Sequence, residues 1–189
     1  MNSAALQGGF VDAAVQSSQA FRACLNAMAQ PGSLQNIKGA APPAPLSAAA
    51  GAVLLTLCDG TTPLHLAGVY DCAALRAWIT FHCASPLVGA QDASFALGTW
   101  EDLQPINRFA IGLPDYPDRS ATLIVEVAIL AVKGAQLRGP GIEAVAELSL
   151  PEVPAFQANR ALFPMGFDCF FTCGDQIAGL PRSTRVEDL

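Results

Sequence analysis

Charge is scarce in this sequence. Asp, Glu, Lys and Arg make up 14% of its 189 residues, against about 25% in an average soluble protein. Lysine occurs twice, at Lys38 and Lys133. A Schiff-base enzyme would have to use one of them, and both sit in loop-like stretches where water keeps an amine protonated. The ten basic residues are scattered singly under a net charge of −6, which excludes a nucleic-acid-binding face. Histidine is limited to His65 and His82. The six cysteines form no CxxC pair, and no metal site is expected. Cys169 and Cys173, four apart on an expected strand, face one way but stand too far apart to share an ion easily. His82 and Cys83 are neighbours that diverge on a helix, which weakens the obvious Cys-His nucleophile. There is no Walker loop and no GxGxxG. No apolar run approaches a bilayer span, and MNSAALQGGF lacks the basic-then-apolar pattern of a signal peptide. No membrane association, a cytoplasmic location and reduced thiols are therefore expected.

Apolar sequence, by contrast, is plentiful. Hydrophobic residues are 52% of the chain, and a chain of this length can bury one good core, so a single domain over residues 1–189 is expected. Such a balance also implies a surface patch that another subunit covers. The organising stretch is residues 121–142, ATLIVEVAILAVKGAQLRGPGI. Residues 121–132 are nearly all apolar and often β-branched, with Glu126 the lone charge, as in a strand covered on both faces in mid-sheet. A turn at Lys133 and Gly134 and a short partner strand follow. The RGPGI loop then sets glycines on both sides of a proline. Such a loop can aim consecutive N–H groups into one concavity, and it can equally be a plain connection out of the sheet.

Taken in order, Phe10, Ala14, Phe21, Leu25 and Met28 recur at helical spacing, and Pro31 and Gly32 stop that helix. Arg22 lies beside the stripe. GAAPPAPLS is a connector. Ser47 caps a second helix, which ends at DGTTP, residues 59–63. LHLAGVY reads as a strand, and Asp71 as the cap of a helix through Leu75, Trp78, Ile79 and His82. Ser85 and Pro86 break it. LVGAQ and ASFALGTW read as strands, the second half exposed. Residues 100–119 give a helical turn near 101–107 and then a loop. Residues 151–162 suggest a helix, FPMGFDCFFTC a turn and strand, and Gly174 and Asp175 a hairpin turn. Its partner IAGLPRST carries Pro181, which suggests the sheet edge. Interleaved helices and strands with hairpins predict an α/β fold on a mixed sheet.

Polar groups cluster in three places. DGTTP offers a carboxylate and two hydroxyls that can orient a ligand or satisfy their own backbone. PRSTR sets Arg182 and Arg185 beside two hydroxyls, a phosphate-binding composition or a solvated edge. Arg138 flanks the Gly-Pro-Gly loop. None of these is a self-sufficient catalytic set.

Seven pieces in order nevertheless resemble one family. They are FRACLNAMAQPG at 21–32, LLTLCDGTTPLHL at 54–66, FHCASPLV at 81–88, ATLIVEV at 121–127, LRGPGI at 137–142, FPMGFD at 163–168 and LPRSTRVE at 180–187. Together they resemble the PhnH family, subunits of the bacterial carbon-phosphorus lyase system for phosphonate use. Residues 96–119 carry no matching motif. The resemblance implies a three-layer α/β sandwich with a mixed sheet, similar to a reduced pyridoxal-phosphate (PLP)-dependent transferase fold without the cofactor. It implies assembly with subunits G, I and J, with L assisting, and a homodimer when isolated. The assembly would displace adenine from ATP with an alkylphosphonate, giving α-D-ribose 1-methylphosphonate 5-triphosphate. The I subunit would carry that chemistry, and the J subunit the later radical step, so no iron-sulfur cluster is expected here.

The resemblance supplies no catalytic residue. The candidates for one cleft that binds a partner loop or an anionic nucleotide or phosphonate part are Arg22, Asp59, Thr61, Arg138, Gly139, Gly141, Asp168 and Arg182. Forked arginine donors suit triphosphate oxygens. Two alternatives stand beside the accessory subunit. One is a stand-alone nucleotide-modifying enzyme with Asp59 or His65 as its base; the other is a small-molecule sensor using the RGPGI cleft.

Overall fold

The computed structural model describes residues 6–188. Helix α1 (Ala13–Ala29) starts where the Asp12 carboxylate accepts the Val15 N–H at 3.2 Å, a side-chain cap of the ordinary kind. The short strand β1 (Gln35–Asn36) and the Pro-rich connector lead to α2 (Ala48–Leu57), which Ser47 caps through the Ala50 N–H at 3.1 Å, as its sequence predicts. Strand β2 (Leu64–Leu66) is shorter than LHLAGVY suggested, because residues 68–70 turn into a 3-10 helix. Helix α3 (Ala73–His82) is entered through Cys72 with no side-chain cap. Asp71, expected as that cap, pairs instead with the Arg76 guanidinium, which donates from Nη2 to Oδ2 at 2.9 Å and from Nε to Oδ1.

Strand β3 (Phe95–Thr99) follows; it is buried along its middle, not half exposed. LVGAQ forms no strand and contributes one bridge, from Leu87 to Leu64. Residues 111–120, read as a loop, fold into a hairpin of β4 (Ile111–Leu113) and β5 (Tyr116–Ser120). The central strand β6 (Thr122–Glu126) then runs for five residues only. Beyond it the chain leaves the sheet, exposing Ile129 and Val132. Its supposed partner, β7 (Ala135–Arg138), belongs to a separate small sheet with β8 (Ala146–Leu148) and the C-terminal β11 (Arg185–Glu187), in the order β11-β7-β8. Helix α4 (Val153–Ala161) leads to β9 (Asp168–Cys173). That strand turns at Gly174, φ 61°, into β10 (Gln176–Leu180), as the hairpin signal predicts.

The main sheet has the order β1-β10-β9-β6-β3-β2. Strands β2, β3, β6 and β9 are parallel, and β10 runs antiparallel to β9 and β1. The sheet is therefore mixed, β6 sits inside it, and the fold is α/β. Strand β10 is not the edge that Pro181 suggested: two residues of β1 pair along its outer side, and Pro181 falls just beyond its end, where a missing N–H costs nothing.

Alternation along the strands divides the core. Leu97, Ile124, Phe170 and Ile177 point to one face and pack with α1, α2 and α3 around the fully buried Trp78. Ala96, Leu123, Val125, Phe171 and Ala178 point to the other. There they meet α4 through Phe156, and the small sheet through Leu137 and Leu148. The Phe156 ring lies 4.8 Å from that of Trp100 and 5.8 Å from that of Phe171. Each such large side chain taken from water stabilises the fold by roughly 2–3 kcal/mol.

Helix α1 is turned from its expected orientation, although Phe10 and Met28 of the expected stripe do pack against the core. Ala20, Ala23, Cys24 and Ala27 are its buried stripe, and Phe21 and Leu25 are 53% and 55% exposed. The cause lies in the sheet: a Cβ on Gly179 of β10 would stand 2.6 Å from the Ala27 carbonyl. Helix and strand backbones approach so closely that only small side chains fit between them.

Candidate functional site

The parallel strands give the molecule two chemically distinct edges. Register pairs Leu64 with Phe95, Phe95 with Thr122 and Thr122 with Asp168, so the starts of β2, β3, β6 and β9 form the amino edge. Asp168, the first residue of β9, accepts three bonds from Arg182: the backbone N–H at 2.7 Å and Nε at 3.1 Å on Oδ1, and Nη2 at 2.5 Å on Oδ2. The same guanidinium donates to the Pro117 carbonyl at 2.7 Å and to Ser120 Oγ at 2.5 Å. Arg182 is neither solvated nor free. It ties the end of β10 and the start of β9 to the β4–β5 hairpin, with most of its donors spent.

Asp59 and Thr61 also come together. Asp59 Oδ1 accepts the Thr61 N–H at 2.8 Å, the Thr61 hydroxyl at 2.7 Å and the Thr62 hydroxyl at 2.9 Å. These donors hold its carboxyl below the usual carboxylate range. The turn satisfies itself in the way such turns do. It leads into β2, three strand spacings from Asp168, about 14 Å away.

Arg138 is exposed at the end of β7. It donates to the Ala144 carbonyl at 3.3 Å and stands 3.6 Å from Glu187 on β11. Gly139 and Gly141 have φ of 143° and 80°, so the loop uses its glycines as the sequence implies. A Cβ on Gly141 would lie 1.8 Å from the Ala29 carbonyl oxygen. The loop thus rests on the C-terminal end of α1, whose free carbonyls attract cations rather than anions. Arg22 lies apart on α1, lining an open groove of about 630 Å³ with Ser17, Phe21, Leu25 and Thr56. The eight candidates are therefore distributed over four places. The His65 Nδ1–H donates to the Val88 carbonyl at 3.1 Å, and its ring stands 5.8 Å from that of Phe109.

The carboxyl edge carries a crevice of about 340 Å³ where β3 and β6 end, lined by Thr99, Trp100, Glu101, Glu126, residues 127–129, Ser149, Leu150 and Pro151. In parallel sheets, the ends of the strands are where ligands bind. Glu126 is buried there. Its Oε1 accepts the Ser47 N–H at 2.7 Å, at the start of α2, and its Oε2 accepts the Thr172 hydroxyl at 3.1 Å. Burial raises its pKa above the glutamate range, and those donors pull the other way. Ser149 pins the loop beyond β6: its hydroxyl accepts the Ala131 N–H at 2.9 Å, and its own N–H donates to the Ala131 carbonyl at 2.9 Å.

Among the described residues no group of three His, Cys, Asp or Glu side chains could hold a metal ion. All six cysteines are free. Burial pushes Cys24 and Cys83 up to about 12 and Cys58 and Cys169 well above the thiol range, far from a reactive thiolate.

Comparison with known proteins places the chain. Residues 8–187 match the family model described as bacterial phosphonate metabolism protein (PhnH). The chain is also 38% identical, over 193 aligned positions, to the alpha-D-ribose 1-methylphosphonate 5-triphosphate synthase subunit PhnH of Rhizobium meliloti (strain 1021), an alignment covering 95% of this chain and 94% of that protein. The chain belongs to the PhnH family.

As a PhnH-family member it is related to that synthase subunit from end to end, across the 96–119 stretch that carried no motif as well. Glu126 was absent from the sequence-derived candidates. A lone charge in an apolar run was its only signal, and the residue was read as strand interior; its place at the last position of the strand puts it among the residues lining the crevice, with its carboxylate held by Ser47 and Thr172.

Proposed function

We propose that this chain is an accessory subunit of a carbon-phosphorus lyase assembly in phosphonate catabolism. The assembly transfers the triphosphoribosyl group of ATP to an alkylphosphonate with release of adenine. The observation that carries this reading is the full-length similarity to a PhnH named as a subunit of the synthase. In this reading the chain works with subunits G, I, J and L in the cytoplasm and forms a homodimer when isolated. Its exposed Phe21, Leu25, Val69 and Phe81 support such association, since apolar surface of this kind marks contact sites. Among the described residues no helix is long and apolar enough to cross a membrane.

The chain is a single domain on this reading, supported by two cores that share one sheet. Its fold is a three-layer sandwich, a reduced relative of the PLP-dependent transferases working without PLP. Support comes from the mixed sheet covered on both faces and from the position of the lysines: both are exposed, and neither lines the crevice at the strand ends. The exposed Arg22 and Arg138 serve as contacts for a partner or an anionic nucleotide part. Asp59, Thr61, Gly139, Gly141, Asp168 and Arg182 shape the turns that present them.

Growth tests the function directly. A strain lacking its own H subunit and supplied with this chain should grow on methylphosphonate as sole phosphorus source, and growth on phosphate should be unaffected. Failure to restore growth by a chain that is expressed and folded would contradict the assignment.

A further inference from the structure

The crevice at the ends of β3 and β6 is not accounted for by the accessory role. Its charged lining residues are Glu101 and Glu126, and no Lys or Arg lines it. Glu152 adds a third carboxylate close by, held by the Trp100 indole N–H at 2.8 Å. Val127, Ile129, Leu150 and Pro151 supply apolar wall, and Ile129 is 69% exposed at the mouth. An apolar cavity with a few convergent polar groups is the usual form of a small-molecule site, and 340 Å³ is at the lower end of the usual size. The sign of the field then selects the ligand: a triphosphate or phosphonate brought here would meet carboxylates with no counter-charge, whereas a cation would be drawn in.

We infer that this crevice binds a small organic cation, an ammonium or guanidinium head on a short apolar body, with Glu126 fixing the head and residues 127–129 covering the body. Glu126 is suited to that role. Ser47 and Thr172 each donate to one of its oxygens, which locks the carboxylate in place, and a carboxylate has further acceptor sites beyond those two. A charge-assisted hydrogen bond to an already oriented acceptor is among the stronger polar contacts a protein makes. Glu101, exposed at the rim, adds attraction at longer range.

The chain contains only two tryptophans, so the bound state can be read at a single atom. Trp100 lines the crevice, and Trp78 is buried across the sheet with its indole N–H on the Gln7 carbonyl at 3.0 Å. The experiment titrates the full chain with n-butylammonium and n-butylguanidinium, with butyrate as the anionic counterpart, following both indole N–H signals by NMR; Trp100→Phe assigns them. The expected result is a saturable shift of the Trp100 signal with either cation, an unmoved Trp78 signal, and no effect of butyrate. Glu126→Gln keeps the shape and should weaken the cation at least tenfold. Glu101→Gln, at an exposed position that cannot endanger folding, should weaken it two- to threefold. An unmoved Trp100 signal, an equal response to butyrate, or undiminished affinity in Glu101→Gln and Glu126→Gln would overturn the inference. None of these outcomes depends on the assembly, so the accessory role stands or falls separately.

Discussion

At the scale of single residues, arginines that look alike in sequence have opposite fates. Arg182 is largely buried and bonded to Asp168, Pro117 and Ser120, so its removal leaves a half-buried carboxylate and two acceptors without their partner. Arg182→Ala should cost about 2–3 kcal/mol of stability, somewhat less than a fully buried pair. Arg138, half exposed and 3.6 Å from Glu187, should cost under about 0.5 kcal/mol when replaced by Ala. Urea unfolding of the two variants measures both. Equal losses would mean that the clamp at the start of β9 does not hold. PRSTR reads in sequence as a phosphate-binding composition or a solvated edge; it could not show that the partner of Arg182 is Asp168, 14 residues away and brought close only by the β9–β10 pairing.

Glu126 yields a pH prediction at the same scale. Burial raises its pKa above the ordinary 4.5, so at pH values between the two the folded chain holds a proton that the unfolded chain has released. Stability contributed by this group therefore falls as pH rises from the ordinary value through the raised one. Relative to Glu126→Gln, the native chain should lose stability as pH rises from the ordinary glutamate value through the raised one. Denaturation of both proteins across that range checks the sign, and a difference that is flat or grows with pH would contradict it. The groups around Glu126 are the Ser47 and Thr172 hydroxyls and, further off, Tyr70, whose phenol burial and the Glu126 charge raise to about 12. None of them titrates in that interval.

At the scale of elements, what was legible depended on how local the signal was. Caps and turns at Ser47, Ser85 and Gly174 are set by a few adjacent residues, and the sequence places them correctly. The β4–β5 hairpin and the short strands β8 and β11 carry no comparable period: β5 is YPDRS, with exposed charges and a proline. The partnership of β7 with β8 and β11 is decided by which core face is free, which no window of residues records. Helix α1 failed for a different reason. Large residues mark a buried stripe only where the neighbouring surface has room for them, and Gly179 leaves none. Gly179→Ala should force Ala27 and Met28 apart from the sheet and cost about 1–3 kcal/mol, the range for overpacking a tight contact. A thermal melt gives the answer, and an unchanged midpoint would mean that α1 adjusts freely.

At the scale of the molecule, an apolar chain has placed its bulk in two cores and left Phe21, Leu25, Val69, Phe81 and Ile129 in water. The sequence foresaw a mixed α/β sheet. It did not foresee that the eight polar candidates would lie in four separate places, because shared proximity to loops is not proximity in space. On the proposed function, those exposed apolar residues are where other chains would sit. The most direct measurement is size-exclusion chromatography of this chain co-expressed with the G, I and J subunits, with one partner tagged for capture. The account predicts a single complex that retains this chain through both steps. Elution of a folded chain apart from all three partners would contradict it.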